Sequence, residues 1–396
     1  MKEKSTESHA INTVFILRTV NSLGWSSTMP FFAVYLEKIR LVSLVLIGAV
    51  YLVSGVFTLI ASVLGGALTD RYGSKRVALA GYVSSVVSAS LTGYMIRSAF
   101  PVYPLLVIYP LFSLFRGLSG PATSAIVASL SGRERVIRGF SLQTVGGNLG
   151  FGLGPAIGGF LAYRLGYSSV FALSAGTAAA ATAYGYLRLA DVRPRRAKAR
   201  DLFRLDRYTW GFMAVVFIAF TANGSVYTPL SLYSAKYLSL NNQEIGLLFT
   251  TNGLLIALLQ IPMMGTLSRF QRISPTLAMT VTTCATLALP FSRGFLDTEA
   301  AMAVATVGEI LLTVPTQVLA SSLSRAENRG TVQGIFLASE TMGRSFANFL
   351  FPSLFSEFSY LPSAGWYVAS IISLASAAGF LGIAKEAGNS LQSSQV

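Results

Sequence analysis

Long apolar runs, each followed within a few residues by the next, constrain this chain more than any single motif. They lie at about 11–36, 43–69, 77–97, 102–130, 138–163 and 167–189. Six more follow at about 208–238, 242–267, 274–293, 298–323, 331–356 and 361–385. Each is long enough to cross the hydrocarbon layer, which takes about 20 helical residues. A backbone in lipid must satisfy its own hydrogen bonds, so runs of this length predict helices and not open sheet. The expected fold is an all-α integral membrane protein of twelve transmembrane helices. Composition agrees, because only 12% of the residues are charged, whereas soluble domains carry roughly a quarter.

The net charge of +14 would suit nucleic acid if it formed one basic face, but it does not. Arg and Lys crowd the short loops near 71–76, 133–138, 188–207, 269–272 and 325–329, together with Lys385. The opposite loops hold only Lys38, Arg40, Arg97, Arg164, Lys236 and Arg293. No nucleic-acid partner is expected. By the positive-inside rule the span number is even and both termini are cytoplasmic, in a multi-pass protein of the cell membrane. Lys2 and Lys4 precede a first run too long for a signal-peptide core, so no cleavable leader is expected. Residues 1–10 and 386–396 read as cytoplasmic tails, and 190–207, with Pro194, as a basic linker lying against anionic lipid.

That linker divides two similar halves, 11–189 and 208–385. Pro30 and Tyr35 pair with Pro229 and Tyr233, and Ile47-Gly48 with Ile245-Gly246. Gly66 pairs with Gly265, and Glu134 with Arg138-Gly139 pairs with Glu327 and Arg329-Gly330. The shared order of these matches predicts duplication of a six-helix unit. His9 is the only histidine and Cys284 the only cysteine. Histidine triads, histidine-ligated metals and disulfides are therefore excluded, and no cofactor, metal site or enzymatic activity is expected.

The loop between the second and third runs reads Gly66-Ala-Leu-Thr-Asp70-Arg71-Tyr-Gly73-Ser-Lys75-Arg76. Gly66 and Gly73 suit close backbone approach and a sharp turn. Arg71, Lys75 and Arg76 are what topology asks for on the cytoplasmic side, but topology does not call for Asp70. This pattern resembles the signature loop of the major facilitator superfamily. The resemblance implies a secondary transporter of two pseudo-symmetric six-helix bundles, with its substrate site near the bilayer midplane. It also makes the loop a conformational switch, with Asp70 meeting the positive start of the eleventh helix near Gly330 and Thr331.

Two further motifs extend the resemblance. Gly150, Gly154, Pro155, Gly158 and Gly159 match a fifth-helix motif of drug–proton antiporters in that superfamily. Physically, such glycines let backbones approach and the proline kinks the helix, so plain packing explains them equally. Arg116 with Gly120 resembles a fourth-helix motif of proton-coupled members, in which the arginine is thought to influence proton affinity. A guanidinium at mid-bilayer depth must in any case face inward or be tied to a carbonyl.

Glu309 and Glu340 are the acids placed well inside the bilayer, and Glu340 stands one turn from Arg344. A carboxyl in a low-dielectric cavity can load and release a proton near physiological pH, while one of the two can simply neutralise Arg344. Arg18, inside the first span, can snorkel to the interface or meet an anionic substrate. The expected function is proton-coupled efflux of small amphipathic molecules by a monomer in the bilayer, through alternating access. The alternatives are uptake or exchange of an organic anion through Arg18, Arg116 or Arg344, and a transporter-like membrane receptor or sensor.

Overall fold

The computed structural model describes residues 2–129, 133–192, 206–267, 270, 273–323 and 329–393. Most of the expected linker lies outside the described residues, as do Arg193, Arg195, Arg196, Lys198, Arg200, Arg204, Arg269, Arg272, Arg325 and Glu327. The side chains of Arg133, Glu134, Arg135, Arg329 and Lys385 also fall outside them. Every regular element among the described residues is helical. In chain order these are α1 (Lys2–Lys38), α2 (Leu44–Tyr72), α3 (Ser74–Arg97), α4 (Val102–Arg116), α5 (Ser119–Ala128), α6 (Arg133–Leu165) and α7 (Tyr167–Arg188). Then come α8 (Arg207–Gly224), α9 (Thr228–Lys236), α10 (Asn242–Leu267), α11 (Ser274–Ala288), α12 (Phe295–Ser322), α13 (Arg329–Glu357) and α14 (Ala364–Ser393).

Two expected spans are broken rods. α4 and α5 part at Gly117 and Leu118, four residues before Pro121, whose ring would clash with the carbonyl of Gly117 in a continuous helix. α8 and α9 part at Ser225–Tyr227, because Pro229 stands in the same relation to Ser225. Counting each pair once leaves the twelve rods expected. Residues 2–10, expected as a tail, continue as the first turns of α1. Among the described residues, seven rods are apolar and long enough to cross a membrane on length and composition alone. Of the remaining rods, α11 has only 15 residues, and α13 carries Glu340, Arg344 and Glu357.

The chain forms two compact units that follow contact and not simply chain order. The first takes Met1–Val42, Val53–Lys198 and Leu240–Ala257; the second takes Ser43–Leu52, Ala199–Ser239 and Leu258–Val396. In the first unit α1 lies along α6, and α3 along α7. Its core joins Val14 and Leu17 of α1 to Val77, Ala78 and Tyr82 of α3. Phe32 stacks on Tyr109 at 4.2 Å and meets Phe171 edge-on at 5.8 Å.

In the second unit α8 packs on α13, and α11 on α12 and α14. Tyr233, Phe355 and Trp366 form a buried aromatic triangle with centroids 5.2–5.3 Å apart. Glycines set the helix spacing. A Cβ on Gly343 would come within 2.5 Å of the Phe217 carbonyl oxygen, and one on Gly224 within 2.6 Å of Ala347. One on Gly308 would come within 3.0 Å of the Ala278 carbonyl oxygen. These approaches bring α8, α13, α12 and α11 together at one level.

Candidate functional site: a charge cluster, two guanidinium groups and a clamped loop

At that level in the second unit, four side chains converge. Glu309 on α12 is 7% exposed. Its Oε1 lies 3.2 Å from Nη2 of Arg344 on α13. The same nitrogen lies 3.5 Å from Oε1 of Glu340, one turn earlier on α13. Tyr227, carried at the break between α8 and α9, donates its hydroxyl proton to Oε1 of Glu309. The guanidinium also sits over the rings of Phe220 and Tyr227, at 5.1 and 5.2 Å. The acids expected to be functional are thus gathered around one cation, with more carboxyl groups than that cation can neutralise. Asn223, 1% exposed, is one turn before Tyr227, and neither amide atom has a partner among the described residues.

The first unit has the opposite balance. Its spans contain no Asp or Glu between residues 11 and 36 or between 77 and 189, apart from Glu134 at the start of α6. Arg116, at the end of α4, is half-buried. Its guanidinium faces the ring of Trp25 at 4.8 Å. Arg18 lies against α6, where a Cβ on Gly147 would come within 3.2 Å of its Nε. Arg18 is exposed, so the cost of lacking a carboxylate falls on the half-buried Arg116, where stacking on indole offsets part of it.

The signature loop forms a clamp with the end of α7. Gly73 turns the chain with φ +90°, where a Cβ would be strained and would also meet the Asp191 carboxylate. Asp191 accepts a hydrogen bond from the Lys75 backbone N–H at 3.3 Å. The Ser74 N–H donates to the Val192 carbonyl at 2.9 Å. Ser74 Oγ in turn accepts from the Val192 N–H at 2.9 Å. Arg71 stacks on Tyr72, Lys75 lies over Tyr186, and Arg76 is exposed.

Gly66 differs from expectation. α2 runs on to Tyr72, so Gly66 is helical, and a Cβ there would meet nothing within 4 Å. Among the described residues nothing approaches Gly66 closely, and the positive-φ turn falls at Gly73. Asp70 is partly exposed, and the side chain of Thr331, part of its expected partner, lies outside the described residues.

The fifth-helix motif, on α6, divides between two faces. Gly150, Gly154 and Gly158 lie against the backbone of α1, where Ser22 Oγ donates to Gly147 O at 2.7 Å and Ser26 Oγ to Gly150 O at 3.2 Å. Gly159 and Pro155 face the start of α10, where a Cβ on Gly246 would come within 2.5 Å of the Pro155 carbonyl oxygen. Tyr227, Trp25 and Asp191 were not singled out in the sequence. Tyr227 had a signal, a tyrosine two residues before a mid-span proline, where a broken helix exposes side chains to a cavity. Asp191 had the same signal as Asp70, an acid at a basic membrane edge.

Comparison with known proteins agrees with this architecture. The profile of the Major Facilitator Superfamily matches residues 14–348 and 212–394. An uncharacterized MFS-type transporter of Methanocaldococcus jannaschii is 22% identical over 344 residues, 83% of this chain and 87% of that protein. The multidrug resistance protein MdtG of Klebsiella pneumoniae is 25% identical over 330 residues, 77% of each. The crystal structure of the nucleoside transporter NupG superposes with a TM-score of 0.77 at 13% identity, covering 94% of this chain and 99% of that one. With the match spanning both units, the chain belongs to the Major Facilitator Superfamily of membrane transporters.

Proposed function

We propose that the protein exports small amphipathic organic compounds in exchange for protons, by alternating access. The observation that carries this reading is the grouping of Glu309 and Glu340 around Arg344. Two carboxylates and one guanidinium leave a net negative charge in a poorly solvated site, and one proton restores neutrality. When the proton leaves, Arg344 can hold both carboxylates. When it binds, one acid is released from the pair. Such a rearrangement ties proton occupancy to the positions of α12 and α13. Relatives named for multidrug and methylenomycin A resistance support export as the direction. The fifth-helix glycines would supply a pliable seam, and the loop around Asp70 would govern the switch.

The test is reconstitution into proteoliposomes holding an inside-acid pH gradient, with ethidium and benzoate as first probes. Addition of a transported compound is expected to dissipate the gradient as it accumulates inside. Glu309→Gln and Glu340→Gln, singly or together, are expected to uncouple substrate movement from proton movement. Undiminished proton-coupled flux in the double variant would overturn the assignment. A gradient consumed by symport would instead favour uptake of an organic anion.

A further inference from the structure

The first unit contains a partly open cavity that the charge cluster does not use, lined by α1, α3, α4 and α7. Its volume is about 50 Å3, far below the roughly 300–1,000 Å3 of sites that enclose a whole drug-sized ligand. It has room for a head group and not for a complete amphipathic molecule. Arg116 supplies the one formal charge on its wall, and no lining residue is an acid. Asn21 and Ser88 add polar groups, while Trp25, Phe112 and Phe171 supply aromatic wall. Several lining hydroxyl groups already donate to their own helices: Ser85 to Gly81 O at 2.9 Å, Ser113 to Tyr109 O at 3.2 Å, and Thr28 to Trp25 O at 2.9 Å. The Arg116 guanidinium lies over the face of Trp25 and within electrostatic reach of Tyr109 and Arg18, and no carboxylate pairs with it among the described residues. The cavity therefore offers a planar fork of donors with the charge-balancing anion left to be supplied.

We infer that this cavity seats the carboxylate of a transported small aromatic acid against Arg116, its ring lying along Trp25. One guanidinium balances one negative charge, which favours a monoanion over a phosphate dianion. The parallel N–H groups match the two oxygens of a carboxylate better than a spherical halide. This names a substrate class for the carrier proposed above and rests on that reading for its transport role. The binding step itself needs no proton gradient.

The experiment uses the purified full-length protein, with tryptophan fluorescence and thermal unfolding read during titration with benzoate, benzamide and chloride. Benzoate is expected to raise the unfolding midpoint and to change the emission of Trp25, an emission change lost in Trp25→Phe. Benzamide and chloride at equal concentration are expected to do neither. Arg116→Gln should weaken benzoate binding at least tenfold. Arg116→Lys keeps the charge should the glutamine variant fail to fold, and should still lose most of the affinity because the fork is gone. Asn21→Leu should weaken binding severalfold.

Benzoate binding that is indifferent to both Arg116 variants would overturn the inference. So would equal binding of benzamide, or chloride competing with equal affinity. Proton-driven export of ethidium with no carboxylate binding would sink this inference and leave the transporter proposal standing. Arg116-dependent benzoate binding without proton-coupled flux would do the reverse.

Discussion

Arg344 holds the second unit's charge cluster together, because removing it leaves Glu309 and Glu340 facing each other without a cation. Breaking a buried ion pair by deleting one partner costs about 3–5 kcal/mol, mostly for the charge left behind. Arg344 is 27% exposed along its side chain, so solvent screening puts its loss at the lower end of that range or below it. Arg344→Gln is expected to lower the thermal midpoint clearly, and adding Glu309→Gln should recover part of the loss. A double variant no more stable than Arg344→Gln alone would show that the two side chains are not coupled. Tyr227→Phe removes the hydroxyl that donates to Glu309 but keeps the ring over which Arg344 lies. Its expected effect is therefore on proton coupling: an altered pH profile of flux, with the folded protein retained. Loss of folding alone, with an unchanged pH profile, would reduce Tyr227 to a packing residue.

At the scale of the element, glycines that look alike in sequence do different work. A Cβ on Gly154 would meet Leu23 O and the Ser26 hydroxyl, in the helix pair that forms the spine of the first unit. Gly154→Val is expected to abolish folded protein in detergent, measured as loss of the monodisperse peak. Gly66→Ala should instead be tolerated, and can stabilise α2 by about 0.5–1 kcal/mol, the usual gain of alanine over glycine inside a helix. The spans themselves were legible because a run of apolar residues has one structural solution in lipid. The breaks at Gly117–Leu118 and Ser225–Tyr227 were less so, since Pro121 and Pro229 could have kinked those helices without parting them. The grouping of Glu309 with Arg344 joins residues on different helices, and only Glu340 and Arg344 had a sequence spacing that disclosed their pairing. Tyr227 stayed hidden because its role depends on the helix break that turns it towards Glu309.

For the whole molecule, the junction of α2, α3 and the end of α7 carries two acids with separable tasks. Asp191 receives the Lys75 N–H at the first turn of α3, where the first N–H groups have no intrahelical acceptor and a carboxylate also meets the positive end of the helix. That is a stabilising role, worth about 0.5–2 kcal/mol for a helix-capping side chain. Asp70 is carried on the last turn of α2, outside that capping contact, and the switch proposed for the signature loop assigns it to the transport cycle. Asp191→Ala should therefore lower the thermal midpoint, and flux only in proportion to the folded protein remaining. Asp70→Asn should leave the midpoint within about a degree or two, since a near-isosteric change at a partly exposed position away from caps and cores shifts stability by no more than about 0.5 kcal/mol. It should nevertheless slow or abolish exchange per folded molecule. Thermal unfolding and counterflow, measured on the same proteoliposome preparations, separate the two acids. Normal turnover in Asp70→Asn, or a stability loss matching that of Asp191→Ala, would mean that both acids only fasten the loop, and the control of alternation would have to lie elsewhere in the chain.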